Sequence, residues 1–344
     1  MTIIKELEPI CLVPKLGGLG GMVSFQARLV SGLEKRGIRT SFDLDDPACS
    51  AVLVIGGTRQ LKALWHAHKR GIRIVQRLDG LNWLHRRQKT SLRYYLRAET
   101  NNLLLAFIRR YLADRIVYQS EFSRRWWQQV YGNLPTPCQV VYNGVDLDSY
   151  SPVGPHQRPT DHFRILLVEG HLGKGNAQGL NSALGMLQLL QDIHHLPVRL
   201  VVVGDISSEV QTSLKVRVTD QVSWLGVLER EQIPQVDRSA HLLFSADLNA
   251  ACPNAVIEAL ACGLPVVSFN TGALSELVTD NAGRVVPYGS NYWKLEPPVL
   301  PPLAQAAADI LADNPSLRQS ARTRAEAAFG LDQMVDGYVQ ALLG

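Results

Sequence analysis

The chain has 344 residues, 46% hydrophobic and 19% charged, enough for two domains with separate cores and incompatible with a disordered polymer. No apolar run approaches the ~20 residues needed to span a bilayer, Met1–Glu6 shows no signal-peptide pattern, and the five scattered cysteines form no CxxC pair. The expectation is a cytoplasmic protein with neither a zinc site nor a disulfide framework. The net charge of +4 hides an asymmetry: between Arg59 and Val130, sixteen Lys and Arg against four acids give +12, which leaves −8 for the remainder.

Strands alternate with helical patterns along the chain, the signature of parallel βαβ units. In the first half, strands are predicted at Pro9–Val13, Ala51–Ile55, Arg73–Gln76, Arg115–Tyr118 and Gln139–Tyr142. Helices are predicted at Met22–Arg36, Arg59–Lys69 and Ser91–Leu112. The Pro-rich, polar stretch Ser151–Pro159 reads as a linker. A second series of strands begins at Phe163–Val168 and continues with Arg199–Val203, Val222–Trp224, His241–Ser245, Leu264–Ser268 and Gly283–Val286. Prolines at 297, 298, 301 and 302 separate it from terminal helices, and no internal repeat is present. Two Rossmann-like doubly wound halves imply a cleft between them, with ligands at the C-terminal edges of the strands.

Pro253–Ser268 is the most informative stretch. It reads as a short helix ending at Gly263, then a buried strand. Pro253 suits a helix start, Asn254 can serve the first free N–H groups, and Ala255, Val256, Ala259, Leu260 and Ala261 supply an apolar face. Glu258 is the single acid. A helix N-terminus can hold a phosphate, and a carboxylate one turn inside can reach the two hydroxyls of a ribose.

Several further motifs stand in order. Lys15–Gly21 is rich in glycine and follows the first strand. Tyr118–Phe122 leads to Val141–Asp146, and Gly173-Lys174-Gly175 follows the first strand of the second half. Val201–Asp205, Trp224–Gly226 and Gly272–Glu276 complete the set. Together they resemble the retaining glycosyltransferases of the GT-B fold, family 4 or group 1. The resemblance covers nearly the whole chain and implies an acceptor-side domain at 1–153, with the helix at 331–344 packing back on it, and a donor domain at 160–328.

The resemblance further implies a nucleotide-sugar as co-substrate, no cofactor and no metal. The acceptor would be a glycan or a lipid-linked intermediate in surface-polysaccharide assembly. Lys174 would meet the diphosphate as a point charge, and the N–H groups of Gly18, Leu19 and Gly20 would approach the phosphates. The N–H groups of Asn254, Ala255 and Val256 would add the helix dipole, and Glu258 would hold the ribose. Asp79 and His171 complete the catalytic candidates. Each has a plainer reading: a flexible glycine turn, a surface lysine, an exposed helix acid for Glu258, a cap of the next helix for Asp79, packing for the histidines.

The sequence departs from the family pattern at three places. The pattern has two acids separated by seven residues; the second is Glu258 and the first falls at Ala250, with Asp247 and Asn249 nearby but out of register. An Arg five residues before the phosphate lysine is missing, and His171 takes its place only in part. Arg77-Leu78-Asp79-Gly80 stands where a histidine is usual. These departures keep open a degenerate member that binds nucleotide or a partner without turnover. The basic segment 59–130, with Trp83, Tyr94, Tyr95, Trp126 and Trp127 among its charges, suits an anionic membrane surface at the inner face or ordinary core packing. No nucleic-acid module accompanies it.

Overall fold

The computed structural model describes residues 9–18, 20–172, 177–206 and 221–344. Two compact units divide the chain, one of Met1–Gly144 with Leu331–Gly344, the other of Val145–Gly330. Among the described residues each unit holds a six-stranded, wholly parallel sheet.

The first sheet contains β1 (Ile10–Val13), β2 (Thr40–Ser41), β3 (Ala51–Ile55), β4 (Arg73–Leu78), β5 (Arg115–Tyr118) and β6 (Cys138–Val140), in the order β2-β1-β3-β4-β5-β6. Both faces are apolar, as a parallel sheet buried on two sides requires. Ile10, Leu12, Leu53, Ile55, Val75 and Val117 meet α1 (Gly21–Glu34) and α11 (Leu331–Leu343) on one face. Cys11, Val13, Val52, Val54 and Ile74 meet α2 (Leu61–Lys69) and α3 (Leu92–Tyr111) on the other. The alternation of a strand thus sends neighbouring residues into two cores. The tryptophan pair of α4 (Glu121–Tyr131) is packed, Trp127 fully and Trp126 nearly so, which leaves Tyr94 and Tyr95 as the exposed aromatics of the five.

The second sheet runs β12-β11-β10-β7-β8-β9. Its strands are β7 (Phe163–Leu172), β8 (Val198–Ile206), β9 (Val222–Gly226), β10 (Leu242–Ser245), β11 (Val266–Phe269) and β12 (Gly283–Val286). The order reverses between β7 and β10, which makes their C-terminal ends the expected ligand crevice of a doubly wound sheet. Around it stand α5 (Ala177–Asp192), α6 (Ile233–Ser239), α7 (Asn254–Ala261), α8 (Leu274–Leu277), α9 (Pro301–Ala312) and α10 (Asn314–Ala328). One core joins α5 and α9 to the sheet through Leu180, Met186, Leu187, Leu303 and Ile310.

Three local expectations are corrected. Ser151–Pro159 is integrated in the second unit, where Arg238 donates to the carbonyls of Ser151 and Pro155. Its prolines mark an irregular but anchored segment, since the buried Arg238 finds its acceptors there. Asn254 is the first residue of α7, with Pro253 at the cap position and no capping bond from the Pro253 side chain. The strands run past several predicted ends, β4 to Leu78 and β7 to Leu172, because sheet pairing continues into polar sequence.

Candidate functional site

In the second unit the loop from β10 to α7 crosses the C-terminal edge of the sheet. Gly272 fixes it: its φ is +60, and a Cβ there would lie 2.5 Å from the carbonyl oxygen of Ala250. The N–H of Ala273 donates to that same oxygen at 2.9 Å, and Thr271 Oγ1 donates to the carbonyl of Asp247. Beyond this loop α7 buries Val256, Ile257, Ala259, Leu260 and Ala261 against the sheet and stops at Gly263, whose φ of +66 ends the helix. Glu258 is buried in this helix, 9% exposed, so the exposed-acid reading fails. It stands one turn beyond Asn254 on the same face. Burial and the negative charge of Glu258 hold Asp237, on the neighbouring α6, well above the usual carboxylate range.

Across the switch point, Glu169 of β7 and Asp247 after β10 are near enough to shift each other's titration. Partial burial and the nearby charge of Asp247 push Glu169 well above its ordinary range. Asp247 itself is exposed.

Lys174, with Gly173 and Gly175, lies outside the described residues. His171 is on β7, where its backbone pairs with Asp205.

In the first unit the glycine loop joins β1 to α1. Gly18 has φ +85 and Gly20 φ +127, backbone that a side chain would strain, and a Cβ at 17, 18 or 20 would meet nothing within 4 Å. Leu19 lies outside the described residues. Gln26 anchors the loop, accepting from Leu16 N–H and donating to the Pro14 carbonyl, each at 2.9 Å. Gly20 is the N-cap of α1 and offers no side-chain acceptor, so the first turn is uncapped by side chains.

Asp79 follows β4, half-buried, its pKa raised by burial against the opposing charge of Arg77. Its carbonyl accepts from Ser123 Oγ at 2.8 Å and Trp127 Nε1 at 2.7 Å. The next helical turn, Leu84–Arg86, has Trp83 at its cap, so Asp79 caps nothing. Arg77 is 1% exposed, stacked on Phe25 at 3.8 Å and donating to Asn143 Oδ1 at 3.0 Å. His85 is buried against Glu99 at 2.8 Å, and His241 accepts the Arg164 N–H at 2.9 Å, so both serve packing.

Sequence reasoning did not single out Glu169 and named Asn249 only as out of register. Glu169 sits at a register shift in β7, and Asn249 is 4% exposed with φ +58. An acid at a strand's C-terminal end was the available signal. Among the described residues no three His, Cys, Asp or Glu side chains are grouped to hold a metal, and no helix is long and apolar enough to cross a membrane.

Residues 164–312 match the family described as glycosyl transferases group 1, and residues 51–149 match glycosyltransferase family 4. The D-inositol 3-phosphate glycosyltransferase of Xylanimonas cellulosilytica is 30% identical over 255 residues, 67% of this chain and 57% of that protein. Its counterpart in Mycolicibacterium smegmatis is 24% identical over 241 residues, 65% of this chain and 51% of that protein. The chain thus spans about half the length of these curated relatives. Among solved structures, sucrose-phosphate synthase from Thermosynechococcus elongatus superposes with a TM-score of 0.74 at 17% identity, over 97% of this chain and 98% of that one. HepE of Anabaena in complex with UDP gives 0.70 at 16% identity, over 97% and 99%.

Proposed function

From the premise that the chain belongs to the group 1, family 4 glycosyltransferases and has their GT-B fold, we propose that it moves a sugar from a nucleotide-sugar donor to a glycan or lipid-linked acceptor, with retention of configuration and without a metal. The observation that carries this reading is the buried Glu258, one turn inside a helix whose cap residue, Pro253, makes no side-chain capping bond.

In this reading the second unit holds the donor. Glu258 accepts hydrogen bonds from the ribose hydroxyls. The N–H groups of Asn254, Ala255 and Val256 face the diphosphate, where the helix dipole favours negative charge. Lys174 supplies a cation as the nucleoside diphosphate leaves, and His171 adds a donor beside it; one such donor is worth roughly 100- to 1000-fold in rate. In the first unit, the N–H groups of Gly18, Leu19 and Gly20 are further candidate phosphate donors. Asp79, its pKa raised by burial, serves the acceptor side. The basic segment suits an anionic or membrane-bound acceptor, at ~1 kcal/mol per Lys or Arg near anionic lipid. The five scattered thiols, none of them in a disulfide, suit the cytoplasm.

The competing reading, binding without turnover, draws on Ala250 and the missing Arg. The deciding experiment is thermal stability against nucleoside diphosphates and their sugars, with UDP and UDP-glucose, the ligands of HepE, first in the panel. A ligand at 100 times its Kd adds ~2.7 kcal/mol. A shift selective for one base and lost in Glu258→Ala supports a donor site, and transfer that persists in chelator then supports a metal-free enzyme. A shift without transfer supports the non-catalytic reading, and no shift with any nucleotide overturns both.

A further inference from the structure

Where α6 ends, successive backbone carbonyls each take a side-chain donor from another part of the second unit. Arg158 donates to the carbonyl of Arg238 through Nε at 3.1 Å and Nη2 at 2.9 Å. Arg164 Nη1 reaches the Ser239 carbonyl and, at 2.9 Å, its Oγ. Arg318 Nη1 donates to the carbonyl of Ala240 at 3.1 Å, and Asn314 Nδ2 to that of His241 at 2.7 Å. Three guanidinium groups, from the segment before β7, from β7 itself and from α10, are thus gathered on one short run of backbone. They lie at the N-terminal edge of the second sheet, since Arg164 is the second residue of β7 and His241 immediately precedes β10. The donor crevice is at the opposite edge.

This cluster lacks a counter-charge. Among the described residues none of the three arginines pairs with a carboxylate. Asp161 turns instead to His162 at 2.9 Å, and Asp237, near Arg318, is held well above the ordinary carboxylate range by burial. The C-terminal end of a helix offers only about half a negative charge. The repulsion leaves its mark: burial and the charge of Arg158 lower Arg318 to about 10.

The cluster is also open. Arg158, Arg164 and Arg318 are each half-buried, and a guanidinium carries five N–H donors. Arg158 Nη1, Arg164 Nε and Nη2, and Arg318 Nε make no hydrogen bond among the described residues, and none of these nitrogens is fully buried, so they reach solvent. The carbonyls therefore fix the three groups in place and leave donors over.

We propose that Arg158, Arg164 and Arg318 form a binding site for a small phosphoryl anion, separate from the donor crevice. The planar guanidinium fork matches the oxygens of a phosphate, and the anion supplies the charge that the cluster lacks. Partial burial of all three groups suits a compact dianion rather than an extended polyanion. Arg318 Nη2 also reaches the carbonyl of Cys262, at 3.4 Å, at the end of the Glu258 helix. An anion held here braces that helix from its far end.

The test is phenylglyoxal footprinting of the full chain at constant ionic strength, with and without inorganic phosphate or pyrophosphate, read arginine by arginine through peptide mass spectrometry. With the anion at ten times its Kd, Arg158 and Arg164 should react roughly tenfold more slowly. The exposed Arg59 and Arg93 should react at unchanged rates. In calorimetry, Arg158→Gln with Arg164→Gln should weaken binding of the same anions about tenfold or more, and Arg93→Gln should leave it unchanged. Unprotected Arg158 and Arg164, equal slowing at Arg59 and Arg93, or wild-type affinity in the double variant overturns the site. The footprint uses the wild-type chain, so it decides even where the double variant folds poorly.

Discussion

Buried ionisable side chains in this chain divide into those that burial neutralises and those that keep a defined partner. His241 belongs to the first kind. It is 8% exposed, and burial, with the charges of Arg158, Arg318 and Arg164 nearby, lowers its pKa to about 4. The unfolded chain takes up this proton below about 6.5, the folded one only near 4. Its contribution is therefore fully present above pH 6.5 and is lost as pH falls toward 4, at about 1.4 kcal/mol per pH unit within that window. Melting temperatures measured from pH 7 to pH 4 should fall less steeply in His241→Asn, whose amide oxygen can still accept the Arg164 N–H. Glu99 is of the second kind: the Arg86 guanidinium at 2.6 Å and His85 at 2.8 Å hold it down to about 2, so it stays ionised through the same range.

At the scale of elements, glycines decide where loops can run. Gly272 admits the β10–α7 loop and Gly204 admits the β7 bulge, and neither has room for a methyl group. Gly272→Ala should cost on the order of 3 kcal/mol by urea denaturation. Gly17→Ala, where a Cβ meets nothing within 4 Å, should change stability by no more than about 0.5 kcal/mol. The helix α3 shows a different feature. Leu92, Tyr94, Leu96, Leu103 and Tyr111 are each more than half exposed among Arg93, Arg97 and Arg110. We expect the protein to bind vesicles containing phosphatidylglycerol and to release them as salt is raised. Leu96→Ser with Leu103→Ser should weaken capture in a flotation assay, and equal capture by neutral vesicles would remove the membrane expectation.

At the scale of the whole molecule, the C-terminal helix belongs to the first unit. Met334, Val335, Tyr338, Ala341 and Leu342 complete its core, and Tyr338 packs on Phe25 at 5.1 Å. Gly32 permits the approach, since a Cβ there would lie 2.4 Å from Val335. Arg36 fixes the outer edge through Asp336 at 2.9 Å. Four large buried side chains, at roughly 1.5–3 kcal/mol each, rival the 5–15 kcal/mol that stabilises an ordinary domain. A chain ending at Gly330 should lose protection of the first unit in hydrogen exchange and limited proteolysis, while Val145–Gly330 keeps its protected core.

The sequence by itself determined the parallel α/β architecture, most strands to within one or two residues, and the Glu258 helix, because hydrophobic period, glycine and proline act within a few residues of chain. The two-residue edge strand β2 carried too little pattern to be seen. Only the tertiary structure decided that Glu258 is buried, that Asp79 caps nothing, and that Ser151–Pro159 is bound to Arg238. It alone brought Glu169 under the influence of Asp247, 78 positions apart in the sequence. The physical reason is that burial, nearby charge and backbone close approach depend on which distant segments meet, and strand order sets those meetings.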